Sequence, residues 1–70
     1  MYFRTYAKFE GQKNFKPLDL STGTQVTNLI HATLIPSENV PKLLEALKQN
    51  TEGVKLEIRA VEGSKIIKVN

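Results

Sequence analysis

One stretch of this chain departs from an otherwise strand-like pattern. Val40, Leu43, Leu44 and Leu47 recur at i, i+3, i+4 and i+7, the spacing that lines apolar side chains along one stripe of a helix. Pro36 marks the change of period, Ser37 or Asn39 can cap the start, and Pro41 falls in the first turn, where its missing N–H has no intrahelical partner to lose. Lys42, Glu45, Lys48 and Gln49 take the wet side, and Asn50 through Gly53 ends the helix with a residue able to adopt positive φ. A lone amphipathic helix must bury its stripe against something, and the rest of the chain offers strands.

Residues 2–10 alternate, with Phe3, Thr5, Ala7 and Phe9 on one face and Tyr2, Arg4, Tyr6, Lys8 and Glu10 on the other. A polar turn around Gly11 leads to FKPLDL, residues 15–20, where Pro17 cannot donate to a ladder and so implies a strand that is short, at an edge, or irregular. After STGT, residues 21–24, the run QVTNLIHATLI is the longest β-rich segment and is expected to form the centre of the sheet. In a continuous strand Val26, Asn28, Ile30, Ala32 and Leu34 share one face, and Thr27, Leu29, His31, Thr33 and Ile35 the other. VKLEIRAV, residues 54–61, turns Val54, Leu56, Ile58 and Ala60 inward and Lys55, Glu57, Arg59 and Val61 outward; a hairpin around Gly63 then enters KIIKVN.

The expected order is β-β-β-α-β-β: one α+β domain over residues 1–70, with the helix on one face of a mostly antiparallel sheet and a right-handed crossover between residues 26 and 61. A helix about 10 to 12 Å wide covers about two or three strands spaced roughly 4.8 Å apart, so the opposite sheet face must meet water or a partner. That face is expected to present Tyr2, Arg4, Tyr6 and Lys8 from the first strand and Leu29, His31 and Ile35 from the third, with Val61 and Ile66 or Ile67 nearby; Tyr2, Arg4, Tyr6, Leu29, His31 and Ile35 are the expected contact surface. Apolar and aromatic area of this extent marks interaction sites in soluble proteins.

Seventy residues lie near the lower limit for a chain that folds without staples, and the sequence has no cysteine for disulfides or thiolate metal ligands. Self-association, a dimer in the first instance, is the remaining way to enlarge the core. No apolar run approaches the roughly 18 residues of a membrane span, and the first residues lack the apolar core of an export signal, so a cytoplasmic protein without membrane contact is expected. The formal charge is +3, with bases interleaved among acids along the chain.

No catalytic, metal-binding or cofactor-binding constellation emerges. His31 is the only histidine and has no neighbouring nucleophile or orienting carboxylate in sequence. Asp19 with Ser21, Thr22 and Thr24 reads as turn chemistry. STGT lacks the lysine and following helix of a phosphate loop, and EGSK, residues 62–65, is explained by a hairpin. The expectation is a non-enzymatic protein that works by protein–protein contact. Two alternatives stand beside it: a nucleic-acid binder using Arg4, Tyr6, Lys8, Lys13 and Lys16, and an oligomeric sponge for a small anionic ligand.

Residues 6–35 resemble short proteins encoded by bacteriophages and mobile elements of Gram-positive and gut bacteria. The shared elements are Y-A-x-F-E-G at Tyr6 to Gly11, F-K-x-L-D-L at Phe15 to Leu20, and N-L-I-x-A-T-L at Asn28 to Leu34. These motifs are structural in kind, and the resemblance carries over no functional residue. What it implies is context: an accessory protein that binds, commonly to block or redirect a host enzyme or a defence complex.

Overall fold

The computed structural model describes residues 1–48 and 53–69. Its strands are β1 (Tyr2–Phe9), β2 (Lys16–Asp19), β3 (Thr24–Gln25), β4 (Leu34–Pro36), β5 (Val54–Ala60) and β6 (Ile66–Lys68), with helix α1 (Val40–Leu47) between β4 and β5. Two short 3₁₀ turns, Leu29–His31 and Ser37–Asn39, complete the described elements. The fold is α+β, one α-helix on an antiparallel sheet.

The sheet is organised around β1. One edge of β1 pairs with β5 over seven residues, from Phe3 opposite Ala60 to Phe9 opposite Val54. Its other edge is shared: β4 takes Tyr2 to Arg4, and β2 takes Tyr6 and Ala7. Because β4 and β5 both run antiparallel to β1, they are parallel to each other, and α1 carries the chain across the strand between them. The centre of the sheet is therefore the first strand, and the expected central strand over residues 25–35 does not form.

That run breaks because its side chains satisfy the backbone locally. The Asn28 side chain accepts a hydrogen bond from the Ile30 N–H at 3.1 Å, and the chain turns through Leu29–His31. Thr33 then occupies the fork where β2 and β4 diverge. Its N–H donates to the Leu18 carbonyl, its carbonyl accepts from the Thr5 N–H, and its hydroxyl accepts from the Leu20 N–H at 2.8 Å. The buried Thr5 hydroxyl donates to the same Leu18 carbonyl at 2.8 Å.

The helical stripe performs as its spacing predicts. Val40 is buried, and Leu43 and Leu44 pack with it on Phe3, Ile35, Ile58 and Ala60. Leu47 reaches a second cluster of Ala7, Leu18 and Leu56. The start of the helix differs from expectation: Asn39 makes no side-chain cap, and the 3₁₀ turn Ser37–Asn39 leads in instead, with the Val40 N–H on the Ser37 carbonyl. The expected stop at Asn50 through residue 52 lies outside the described residues, as does Gln49; Gly53 has φ of +76°. Pro17 does sit in a short strand, but one flanked on both sides. Its carbonyl accepts from the Val26 N–H, so its missing donor falls just past the two-residue β3, where the ladder ends.

Past β2, the end of β1 is held by two glutamines. Gln12 Nε2 donates to Gln25 Oε1 at 2.8 Å, and Gln25 Nε2 returns a bond to Gln12 Oε1 at 2.7 Å. Gln25 Nε2 also donates to the Ala7 carbonyl, and Gln12 Oε1 accepts from the Phe9 N–H. Gln25→Ala strands the Ala7 carbonyl and half of the amide pair. Its expected cost is about 1–2 kcal/mol, seen in a circular-dichroism melt as a drop of roughly 4–8 °C per kcal/mol.

Candidate functional site

The register sorts the side chains of the face away from α1 into rows, since directly opposed residues point to the same side. The first row is Pro36, Tyr2 and Val61, joined by the Val61 N–H donating to the Tyr2 carbonyl. The second runs Leu34, Arg4, Arg59, Ile66 across four strands. Pro17, Tyr6, Glu57 and Lys68 make the third, and Lys8 with Lys55 the fourth. Phe15, just before β2, closes the fourth row beside Lys8.

Charge is concentrated here. Rows built on β1, β5 and β6 hold Arg4, Lys8, Lys55, Arg59 and Lys68 against a single acid, Glu57. Of the other described acids, Glu38 and Glu45 lie along the helical segment and Asp19 at the end of β2, while Glu10 and Glu62 sit in turns at the two ends of the face, Glu10 beside Lys8 and Lys55 and Glu62 beside Tyr2 and Val61. Asp19 accepts from both the hydroxyl and the N–H of Ser21. These bonds, the hydroxyl's first, hold its carboxyl below the usual aspartate pKa. It is a turn residue, as its sequence neighbourhood implies.

At the centre, Arg59 and Glu57 project side by side from β5, and the guanidinium donates to Glu57 Oε1 through Nε. Glu57 is 4% exposed, so this partner is what allows a carboxylate there. The same guanidinium lies 4.4 Å from the centroid of Tyr6 and 5.8 Å from that of Phe15, and Lys8 Nζ lies 5.3 Å from Phe15. Two aromatic rings are thus capped by the chain's own cations. Arg4 stands directly opposite Arg59, an unfavourable like-charge pair that Glu57 offsets on one side only. Among the described residues Arg4 forms no ion pair, and its Nε is buried without a hydrogen-bond partner.

Large apolar groups flank this centre on the side of the first two rows. Tyr2, Leu34 and Ile66 are each more than half exposed, and Val61 adds to them at the rim. A shallow pocket of about 520 Å³ opens at the far end of β1 and β5, lined by Lys8, Glu10, Gly11, Gly53 and Lys55 among others.

Of the residues expected on this face, Tyr2, Arg4 and Tyr6 are there together. Ile35 is not: it lies opposite Phe3 and is buried beneath the helix, 6% exposed. Leu29 and His31 are exposed, but on the 3₁₀ turn rather than on the strand rows. Ile66 faces outward and Ile67 inward opposite Ile58. In the nucleic-acid set, Arg4, Tyr6 and Lys8 converge, whereas Lys13 lies in the β1–β2 turn and Lys16 shares the helix side with Ala7. Leu34, Phe15, Glu57 and Arg59 belong to the site although their sequence context did not single them out. The outward alternation of Lys55, Glu57 and Arg59 was the available signal.

Among the described residues no cluster of three or more histidine, aspartate or glutamate side chains could hold a metal ion. None of the described helices is long and apolar enough to cross a membrane. No family model matches the chain, and comparison with curated proteins and with solved structures finds no match either.

Proposed function

We propose that this chain is a non-enzymatic binding protein that engages a protein partner through the sheet face away from α1, in the accessory role that its likeness to phage and mobile-element proteins implies. The observation that carries the reading is the join of exposed Tyr2, Leu34 and Ile66 to a half-buried Tyr6–Arg59 centre on one continuous surface. Tyr and Arg dominate binding energy at interfaces when apolar neighbours exclude water around them. The reading extends to an inhibitor of a host or defence complex, where occupying a surface is the whole activity.

The first alternative, binding of single-stranded nucleic acid, draws support from the same basic rows. Against it, Arg59 lies over the Tyr6 ring and Lys8 over Phe15, so a stacking base would have to displace an internal cation. Face-to-face pairing of two copies would bring one basic surface against another, so a partner of opposite charge fits this surface better than a second copy does.

A photo-crosslinking amino acid at Leu34, compared with one at Glu45 on the helix, tests the reading in extracts of the source cells. The expected result is a protein adduct from position 34 and none of that species from position 45. Adducts to nucleic acid, or the same protein captured equally at both positions, would overturn it.

A further inference from the structure

We infer that the partner presents an acidic segment with apolar residues between its carboxylates, and that Arg4 receives one of those carboxylates. The inference rests on the binding role just proposed and adds the chemistry of what is bound.

Three observations converge on it. First, the rows of β1, β5 and β6 gather Arg4, Lys8, Lys55, Arg59 and Lys68 around a single acid, Glu57, so this surface is strongly positive in a chain of net charge +3. Second, the two arginines of the second row are in different states. Arg59 is held by Glu57 and Tyr6, whereas Arg4 has no ion pair and an Nε without an acceptor. Turning Arg4 outward to an incoming carboxylate breaks no hydrogen bond of its own and supplies the one its Nε lacks. Charge-assisted, bidentate pairing of guanidinium with carboxylate rewards that arrangement. Third, Leu34 and Ile66 end the row that contains both arginines, and Tyr2 and Val61 lie one row beyond. An occupant that follows the row must therefore offer aliphatic groups on either side of its charge, as an acidic polypeptide does, whereas a nucleic acid offers flat bases that need stacking rings. The cations over Tyr6 and Phe15 remove the two rings most central to a stacking platform.

The test is fluorescence anisotropy with three labelled probes: a short peptide alternating glutamate with leucine and phenylalanine, the same peptide with glutamine for glutamate, and an oligothymidylate of equal charge. The acidic peptide is expected to bind at least tenfold more tightly than either control. Arg4→Gln should weaken it about tenfold, which corresponds to roughly 1.4 kcal/mol. Lys68→Glu, at an exposed position away from the core, should weaken it severalfold and flatten its salt dependence. Circular dichroism establishes that both variants are folded. Equal binding of the two peptides, no binding of the acidic one, or tighter binding of the oligothymidylate would overturn the inference. Its failure is separable from that of the binding role: a protein crosslinked at Leu34 through a non-acidic surface leaves the role standing, whereas nucleic-acid adducts at Leu34 remove both.

Discussion

Ile58→Ala is expected to destabilise the protein by about 2–5 kcal/mol, the range for removing a fully enclosed aliphatic side chain and leaving a cavity. Ile58 is 1% exposed and sits at the middle of β5, opposite Thr5 on one side and Ile67 on the other, with Phe3, Ile35, Val40 and Ala60 in the same cluster. These neighbours come from four strands and the helix, so no single segment can shift to fill the space. A domain of this size has a total stability of only about 3.5–10 kcal/mol, so the loss takes a large share of it. Urea titration followed by far-ultraviolet circular dichroism should show a transition midpoint close to zero denaturant, or a chain already partly unfolded in buffer. Ile58→Val, which removes one methyl, should cost about 0.5–1.5 kcal/mol and leave a measurable transition. Equal and small effects of the two substitutions would mean that the sheet and helix do not close over this position.

Arg59→Ala is the second large effect, and its origin is electrostatic. The substitution leaves Glu57 enclosed without its counter-charge and uncovers one face of Tyr6. Breaking a fully buried pair costs about 3–5 kcal/mol; with the Arg59 side chain 39% exposed, water can replace part of the interaction, and about 1–3 kcal/mol is expected. The double variant Arg59→Ala/Glu57→Gln should recover part of that loss, because a neutral amide is cheaper to enclose than an orphaned carboxylate. Urea titration of the wild type, both single variants and the double variant gives the coupling as a double-mutant cycle. Coupling indistinguishable from zero would show that the pair does not hold Glu57 in place.

Much of the fold was legible because two strands and the helix each kept one period without interruption. In β1, Phe3, Thr5 and Ala7 alternate with Tyr2, Arg4 and Tyr6, and the structure buries the first set. In β5, Leu56, Ile58 and Ala60 face the helix as their spacing requires. The failure lies between residues 25 and 35, where β-branched and aliphatic residues suggest a continuous strand. Asn28 and Thr33 instead use their side chains as backbone partners, and a chain that turns between two strands loses its alternation. Parity counted from Leu29 and His31 therefore put Ile35 on the outer face. In β4 the count restarts, so Ile35 is buried and Leu34 is exposed.

The site was partly legible for a related reason. Tyr2, Arg4 and Tyr6 lie within one strand and could be grouped by alternation alone. The charge of the surface could not, since along the chain the bases alternate with acids and look evenly spread. Only the pairing of β1 with β5 and β6 brings Arg4, Arg59, Lys8, Lys55 and Lys68 together around one acid, Glu57. The covering of Tyr6 and Phe15 by Arg59 and Lys8 depends on the same long-range register.

That register also fixes the order of events when the chain is made. The longest ladder joins Thr5 to Ile58 and their neighbours, so β1 leaves the ribosome well before the strand that completes its main edge. Until β5 arrives, Phe3 and Ala7 have only the short β2 and β4 beside them, and half of the central strand's hydrogen bonds wait unmade. Closing so large a loop delays folding more than it weakens the product, because its entropy must be surrendered before the contacts form. A nascent chain stalled before Val54 should therefore be an open, protease-sensitive species, and collapse should come in one step after β5 clears the tunnel.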